Sequence, residues 1–364
     1  MTLDTIIRGA HIVDGSGGPI YTADVGVLNG RIHDIAINLK SEAREVIDAA
    51  GLHLAPGFID VHTHDDINVI DAPTMPTKIS QGVTTVIVGN CGISASPVRL
   101  SAAPPDPLNL LGQQADFCYP SFSDYANAVT RARPGINVGA LVGHTAIRNN
   151  HMRELNRSAT AQELTAMCAD LRQAMADGAL GMSSGLAYAS AKQSDIAEVK
   201  AMVAELGRAG GIYTTHLRTE FDGILEAMDE AFITSEHGKV PLVISHLKCA
   251  GKGIWGRSEQ LLNTLEYAAK KQTVACDCYP YAASSSTLDL AQVTSDTRIF
   301  ITWSEPEPEQ AGRDLHEIAE HWQCDLLSAA KRLQPAGAVY YCMDEQDVRN
   351  ILRYKRTMIG SDGL

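Results

Sequence analysis

Aromatic side chains are scarce in this 364-residue sequence, and long apolar runs and low-complexity tracts are missing from it. Only 5% of the residues are aromatic, but 45% are hydrophobic and 20% are charged, an ordinary balance for a globular protein. This balance excludes a disordered chain. A chain of this length can bury a large core, and it suits a barrel with a minor domain.

Positive charge is also in short supply. The sequence has 30 Lys and Arg against 43 Asp and Glu, so its formal net charge is -13. Such a charge repels phosphate backbones and anionic lipid headgroups, and we therefore expect neither nucleic acid nor a membrane as partner. No apolar stretch approaches the roughly 18 residues of a membrane span, and the N-terminus lacks the segments of a signal peptide. We expect a cytoplasmic protein, and the sequence leaves its oligomeric state open.

The eight cysteines do not form the dense framework of a small secreted protein. They are scattered over positions 91, 118, 168, 249, 276, 278, 324 and 342. We expect most of them to be reduced and packed. Cys276 and Cys278 could suggest a metal knuckle, but they alternate along a strand-like segment, which favours packing.

Residues 1–54 consist of short strand-like segments separated by turns. Asn29-Gly30 is the preferred two-residue turn of a β-hairpin. We predict a small antiparallel β domain over residues 1–54.

From residue 55 onward, eight short apolar runs alternate with amphipathic helical stretches. The runs lie at 57–61, 83–88, 137–142, 179–183, 212–215, 241–245, 274–278 and 357–361. This alternation is typical of parallel strands beneath crossover helices, and it predicts an α/β fold, a (β/α)8 TIM-like barrel over residues 55–364. Roughly 80 residues separate the last two runs, far more than a crossover needs, so we predict an inserted lid subdomain at about 283–343.

Side chains that bind metals or transfer protons follow six of the eight runs. In a barrel of this kind, the C-terminal strand ends meet at the face where active sites form. The candidates, in chain order, are Asp60, His62, His64, Asn90, Cys91, His144, His216, His246, Lys248 and Asp362. Imidazole, thiolate and carboxylate are ligands of zinc, so the pattern predicts a metal site.

The spacing of some of these candidates indicates where their side chains point. His62 and His64 are two positions apart, so strand alternation points both imidazoles to one side, where they can bind one ion. Lys248 points with His246 by the same rule and can hold a substrate carboxylate, although an ordinary solvated lysine is the alternative. Burying the charge of Asp362 at a strand end costs free energy unless it is paired, which makes this residue the candidate catalytic base.

Six strings of the sequence resemble the D-aminoacylases, which are N-acyl-D-amino-acid deacylases of the amidohydrolase superfamily. The strings are APGFIDVHTH (55–64), VGNCG (88–92), VGH (142–144), GALG (178–181), SHLK (245–248) and GSDG (360–363). The first is common to the superfamily, whereas GNCG is more particular to this branch. The resemblance runs through the whole chain. It implies hydrolysis of an N-acyl-D-amino acid, a small-molecule substrate, to a carboxylate and a free D-amino acid.

The resemblance also implies a set of metal ligands. Cys91, His216 and His246 correspond to the ligands of one tightly bound Zn²⁺, and three ligands leave a fourth tetrahedral position open. His62 and His64 then form a second, weaker site, with Cys91 as the bridge. Many relatives bridge two metals with a modified lysine on strand four, which this sequence lacks.

The sequence also offers candidate residues for contacts with the substrate. Tyr279 resembles a family residue that contacts the substrate, but a tyrosine at a barrel rim is also common packing. His144 either contacts the substrate or braces the barrel mouth. Within the predicted insertion, the apolar residues Leu288, Phe300 and Met343 suit a substrate with a neutral side chain. Arg298 is the candidate partner for an acidic side chain such as that of D-glutamate.

Two other functions stay open at this point. A cyclic-amide hydrolase of the hydantoinase or dihydroorotase type shares the strand-one histidines, but the missing strand-four lysine argues against it. A non-catalytic metal-binding or ligand-binding barrel is the second, and the intact Asp362 argues against that.

The family continues beyond the position of Leu364 with a last helix, an arginine that holds the substrate carboxylate, and the remaining strands of the small β domain. We therefore expect a fragment that folds poorly by itself, because an uncovered apolar patch promotes aggregation.

Overall fold

The computed structural model describes residues 2–364, which form two compact units. The first unit ends at Phe58, and the second spans Ile59–Leu364. The division thus lies slightly beyond residue 54, the boundary that the sequence pattern suggested.

The first unit contains a mixed β-sheet. Its strands are β1 (Leu3–Ile12), β2 (Tyr21–Leu28), β3 (Arg31–Ala36), β4 (Ala43–Asp48) and β5 (His53–Leu54). The order is β3-β2-β1-β4, and β5 also pairs with β1. Asn29 and Gly30 join β2 to β3 with φ values of 51° and 71°, as their hairpin signal predicts.

The prediction that residues 1–54 form an antiparallel domain is wrong in part, because this sheet is mixed. Strands β2 and β3 pair antiparallel, but β4 and β5 run parallel to β1. A two-residue turn enforces antiparallel pairing only between the strands that it joins. The longer connection after β3 returns the chain to the opposite side of β1, so that β4 runs in the direction of β1.

Eight strand positions from Phe58 onward correspond to the eight apolar runs. They are β6 (Phe58–Asp60), β7 (Val83–Val88), β8 (Asn137–Ala140) continued by β9 (Val142–Gly143), β10 (Gly181–Gly185), β11 (Ile212–His216), β12 (Leu242–Ile244), β13 (Val274–Cys278) and, after an insertion, β18 (Thr357–Ile359). Strands β6, β7 and β8 form one sheet, and β9 to β13 with β18 form another. Strand β7 pairs in parallel with β8, and all neighbours in the order β9-β10-β11-β12-β13-β18 are also parallel. Strands β10, β11 and β13 are largely buried, whereas Phe58 and Ile59 of β6 and Ile359 of β18 are exposed.

Two seams join these sheets into a closed barrel. Leu141 connects β8 to β9 in one continuous run, and its backbone N donates to Val88 O at 2.9 Å. At the other seam, the backbone N of Val61 donates to Ile359 O at 3.2 Å.

Helices follow most of the barrel strands. They are α1 (Asn68–Asp71), α2 (Pro76–Ile79), α3 (Phe122–Ala132), α4 (His144–His151), α5 (Ala161–Ala176), α6 (Ile196–Ala209), α7 (Ile224–Gly238), α8 (Ser258–Ala268), α9 (Leu315–His321), α10 (Leu326–Leu333) and α11 (Glu345–Leu352). Short 3-10 turns lie at Leu108–Leu110, Gln114–Asp116, Lys252–Ile254, Leu290–Gln292 and Pro308–Gln310. None of the helices in residues 2–364 is long and apolar enough to cross a lipid bilayer.

The insertion between β13 and β18 has its own sheet. Strands β14 (Ser284–Thr287), β15 (Arg298–Ser304), β16 (Arg313–Asp314) and β17 (Ala336–Tyr341) pair antiparallel in the order β14-β17-β15-β16. Helix α9 packs against β15 in this sheet, and α10 packs against α9.

A buried ion cluster lies at the seam between β6 and β18. The Nζ atom of Lys78 lies 2.7 Å from Asp60 Oδ2 and 3.1 Å from Asp65 Oδ2, and it donates to Ser361 Oγ at 2.9 Å. Asp60 Oδ1 also accepts a hydrogen bond of 2.8 Å from the backbone N of Ser361. Burial opposes the lysine charge, but Asp60 and Asp65 outweigh it and raise the pKa of Lys78. One cation therefore ties the end of β6 to the segment after β18.

Replacing Lys78 with methionine should strongly destabilise the barrel. The variant leaves Asp60 and Asp65 as uncompensated buried charges, which costs about 3–5 kcal/mol of unfolding free energy. Urea denaturation measures this quantity. The control is Lys331→Met at an exposed position of α10, which should change it by no more than about 0.5 kcal/mol. Wild-type stability in Lys78→Met would show that the seam does not depend on this cation.

Candidate metal centre

The C-terminal strand ends bring the five predicted metal ligands and Asp362 into one cluster. The candidate ligands form two overlapping groups. Within each group, the ligand atoms all lie within 4.8 Å of one another. The first group is His62, His64, Cys91 and Asp362, and the second is Cys91, His216 and His246. Cys91 belongs to both groups, so its thiolate is positioned to join two metal sites.

Short distances connect the members of the cluster. The Sγ atom of Cys91 lies 3.2 Å from Nε2 of His62 and 3.2 Å from Nε2 of His246. Asp362 Oδ1 lies 3.2 Å from His62 Nε2 and 3.3 Å from His64 Nε2. A thiol sulfur, several imidazole nitrogens and a carboxylate oxygen thus point at a common centre.

One unpaired nitrogen also suits a bound cation. The Nδ1 atom of His216, a member of the second group, is buried and has no hydrogen-bond partner among the described residues. Buried polar atoms are usually paired, and a coordinated metal would satisfy such a nitrogen. Cys91, His216 and His246 offer the thiolate and imidazole donors that zinc prefers, and three ligands leave a fourth position open. These residues therefore fit a catalytic zinc.

Cys91 differs electrostatically from the other buried cysteines near the barrel strands. Burial opposes its ionisation, but the charges of His62 and His246 outweigh burial and hold the pKa of Cys91 well below its ordinary value. Burial raises the pKa of Cys276 and Cys278 to about 12. The thiolate that metal binding requires is therefore favoured at Cys91 and disfavoured at the other two positions.

Two carboxylates outside the ligand groups contact the candidate histidine ligands and orient them. Asp277 Oδ1 on β13 lies 3.0 Å from His62 Nδ1 and accepts a bond of 2.7 Å from the backbone N of His246. Glu220 Oε1 lies 2.8 Å from His246 Nδ1, and Glu220 Oε2 lies 3.9 Å from His216 Nε2. Such partners set the tautomer and ring orientation of metal-binding histidines.

Sequence reasoning missed both of these carboxylates. Asp277 lies within an alternating strand-like segment, and this alternation predicts packing. Glu220 lies in the loop after β11. The available signal for Glu220 was its spacing of four residues from His216.

Lys248 and Tyr279 lie beside the cluster. Lys248 is buried, and its Nζ donates to Glu220 Oε1 at 2.6 Å, which contradicts the alternative of a solvated lysine. It also lies 5.4 Å from the centre of the Tyr279 ring. The hydroxyl of Tyr279 is buried and has no partner among the described residues. Two polar groups therefore face the region around His246.

A cavity of about 440 Å³ opens beside Asp362. Its lining includes Tyr279 and Tyr281 from the barrel side and Ser285 from the insertion. This volume is within the range of small-molecule sites.

His144 belongs to a different buried group. Its Nε2 lies 2.9 Å from Glu198 Oε1, and the same carboxylate pairs with Arg148. Arg148 is fully buried and also donates to Ser190 O at 3.1 Å. His144 lies outside both groups of ligand atoms, which favours the bracing role. The side chain of Asn90 donates to the backbone oxygen of Ile87 at 2.9 Å.

Comparison with known proteins places the chain in a family. The amidohydrolase family model matches residues 45–358. A D-aminoacylase of Alcaligenes xylosoxydans xylosoxydans is 42% identical, with 99% of this chain and 74% of the relative covered. An N-acyl-D-glutamate deacylase of the same organism is 41% identical, with 100% and 74% covered. This chain belongs to the D-aminoacylase family of amidohydrolases.

Solved structures of this family superpose closely. One is a D-aminoacylase reported with a binuclear metal centre, in which one metal activates and the second attenuates. It gives a TM-score of 0.95 at 44% identity, and the match covers 99% of this chain and 76% of that chain. An N-acyl-D-glutamate deacylase from Bordetella bronchiseptica, complexed with zinc and a phosphonate mimic of the tetrahedral intermediate, gives 0.94 at 40% identity, with 100% and 76% covered. The family resemblance of the sequence motifs is thus confirmed.

Replacing Cys91 with serine should reduce zinc affinity more than tenfold, because the variant loses the ligand that both groups share. Loss of an outer partner alone typically costs about 10–100-fold. The matched control is Cys276→Ser, another buried thiol, whose Sγ lies 3.3 Å from Thr357 Oγ1 and outside the cluster. Metal content after dialysis and competition with a chromogenic chelator measure the effect. Equal zinc retention in both variants would contradict ligation by Cys91.

Proposed function

We propose that this protein hydrolyses the amide bond of N-acyl-D-amino acids in a zinc-dependent reaction and releases a carboxylate and a free D-amino acid. The observation that supports it most is the thiol of Cys91, which both ligand groups share, with the Asp362 carboxylate in one of them. The relatives supply the substrate class and its D configuration, since both are named as acting on D-amino-acid derivatives.

In this proposal, Cys91, His216 and His246 would hold the tightly bound zinc. His62 and His64 would hold a second, weaker ion, with Cys91 available to both sites. A zinc ion bound at such a site supplies Lewis acidity, which polarises the acyl carbonyl and lowers the pKa of a water molecule.

Asp362 acts as the general base and then as the acid. It accepts the proton of the attacking water and delivers it to the departing amine. Burial opposes its ionisation, but the charge of His62 and the hydrogen bonds of His62 and His64 outweigh burial, and they hold the pKa of Asp362 well below its ordinary value. Its side chain is 21% exposed, so water can reach the carboxylate. Its backbone N donates to His62 O at 2.8 Å, which orients the residue toward the cluster.

Lys248 and Tyr279 bind and orient the substrate. Lys248 has three N–H donors, and its contacts with Glu220 Oε1 at 2.6 Å and His246 Nδ1 at 2.8 Å leave at least one donor for a substrate carboxylate. The unpaired hydroxyl of Tyr279 can donate to the substrate from the next strand end. The insertion that contains β14 to β17 acts as a lid, and Ser285 lines the cavity beside Asp362.

The alternative functions have less support. Strand β10 has the sequence GMSSG and offers no lysine to bridge two metals, unlike the hydantoinase type of site. A non-catalytic barrel would have no need for a carboxylate held against two candidate ligands, as Asp362 is.

Asp362→Asn should abolish most turnover while zinc stays bound. An amide cannot accept the proton, and loss of general acid–base catalysis typically lowers kcat by about 10²–10⁴-fold. Steady-state kinetics and metal content are measured on the same preparation. Asp296→Asn, at an exposed position of the insertion, serves as the control with unchanged kcat. Near-normal turnover of the Asp362 variant would remove it from the mechanism.

A substrate panel tests handedness and side-chain preference. We expect N-acetyl-D-methionine to be hydrolysed, its L enantiomer to be a poor substrate, and N-acetyl-D-glutamate to react with a kcat/KM at least about tenfold lower. The reason is that Arg298, the candidate partner for an acidic side chain, is already paired with Asp314 at 2.7 Å. An unpaired carboxylate is costly to desolvate.

Chelation should abolish the activity on every substrate of the panel, and added zinc should restore it. Faster turnover of the glutamate derivative would refute the neutral preference, and activity that survives chelation would refute the zinc dependence.

A further inference from the structure

The loop that carries Cys91 has a strained backbone. We call residues 89–95 the Cys91 loop. Cys91 itself has a φ of 53°, and Gly89 and Gly92 have φ values of 78° and 77°. Glycine adopts this left-handed region readily, but a residue with a side chain is held there at a cost of about 1–3 kcal/mol, and only where its surroundings enforce the conformation. Contacts outside the loop must therefore hold Cys91 in place.

Close packing against two barrel strands is one such contact. A Cβ atom on Gly92 would lie 2.6 Å from the backbone N of Gly185 on β10, and one on Gly89 would clash with the carbonyl oxygen of Leu141. Only glycine fits at these two positions, which explains the glycines of the GNCG string. Packing restricts where the loop lies, but it does not by itself determine the orientation of its peptide groups.

Two buried side chains bind those peptide groups. Ser183 Oγ on β10 accepts from the backbone N of Gly92 at 2.9 Å and donates to Gly89 O at 2.5 Å, so it connects both sides of Cys91. Asp66 Oδ2 accepts from the backbone N of Gly89 at 3.2 Å, and its Oδ1 accepts from Ala95 N at 3.1 Å. Ser183 is 0% exposed and Asp66 is 1% exposed. Neither residue is a member of the two ligand groups.

We propose that Ser183 and Asp66 are positioning residues of the metal centre, which hold the thiolate of Cys91 at the point shared by the two ligand groups. The inference rests on the proposed zinc site and adds residues to it. Functional side chains generally need placement to within about 0.5 Å, and supporting hydrogen bonds provide it. In this chain the fourth barrel strand contributes no ligand lysine; it contributes a hydroxyl that fixes the ligand of the second strand.

The chain offers a matched control on the same strand. Ser184 is also 0% exposed, and its hydroxyl bonds Tyr213 OH at 2.7 Å and Thr215 Oγ1 at 2.8 Å. Ser183→Ala and Ser184→Ala therefore each remove one buried hydroxyl with two hydrogen bonds. Their general effects on stability should be similar, but only the first removes contacts with the Cys91 loop.

Cobalt substitution provides a readout that does not depend on activity. Wild-type protein with Co²⁺ should show a thiolate-to-cobalt charge-transfer band in the near ultraviolet, which Cys91→Ser lacks. Ser183→Ala should weaken Co²⁺ and Zn²⁺ binding by about 10–100-fold and reduce the band. Ser184→Ala should keep the wild-type band and an affinity within about twofold of wild type.

Asp66→Asn is the second test variant, and it decides the matter if Ser183→Ala does not fold. It should weaken metal binding in the same direction, because its amide group presents a donor to a backbone N–H. A wild-type band and affinity in the folded test variants would overturn this inference alone. An equal loss in Ser184→Ala would also overturn it, because the effect would then be general destabilisation. A wild type without the band would overturn the zinc assignment and this inference together.

Discussion

Residues about 300 positions apart meet because the barrel closes between its first and last strands. The backbone N of Asp362 donates to His62 O at 2.8 Å, and His64 N donates to Gly363 O at 2.7 Å. These bonds set the candidate base against the first two histidines, and Lys78 neutralises the carboxylates behind them. Without this closure, His62 and Asp362 would not meet, and the group of His62, His64, Cys91 and Asp362 could not form as described.

Negative charge surrounds the cluster on several sides. Burial opposes the protonation of its histidines, but Asp362 and Cys91 raise the pKa of His64 to about 9. Glu220 and Cys91 likewise outweigh burial and the Lys248 charge, and raise the pKa of His246 to about 10. The local field therefore favours positive charge at the centre of the cluster. A bound metal ion would supply this positive charge in place of the protons, because a histidine must be neutral to bind a metal.

Local patterns predicted local structure well. The runs at 83–88 and 274–278 coincide with β7 and β13, because short strand-like runs between helical stretches are typical of parallel strands beneath crossover helices. Asn29 and Gly30 form the predicted turn between β2 and β3, a signal that depends only on two adjacent residues. The parallel pairing of β4 with β1 could not be found this way, because nothing in either segment specifies the direction of a distant neighbour.

The sequence by itself determined the family, the types of the candidate ligands and their positions after the strands, because these depend on short strings and on strand order. The tertiary structure decided which side chains meet. It grouped Cys91 with both sets of histidines, turned His144 toward Glu198, and added Asp277, Glu220, Ser183 and Asp66 around the ligands. The physical reason is that orienting contacts are made between strands and loops far apart in the chain. Their partners are specified by packing and hydrogen-bond geometry, and no spacing along the sequence encodes them.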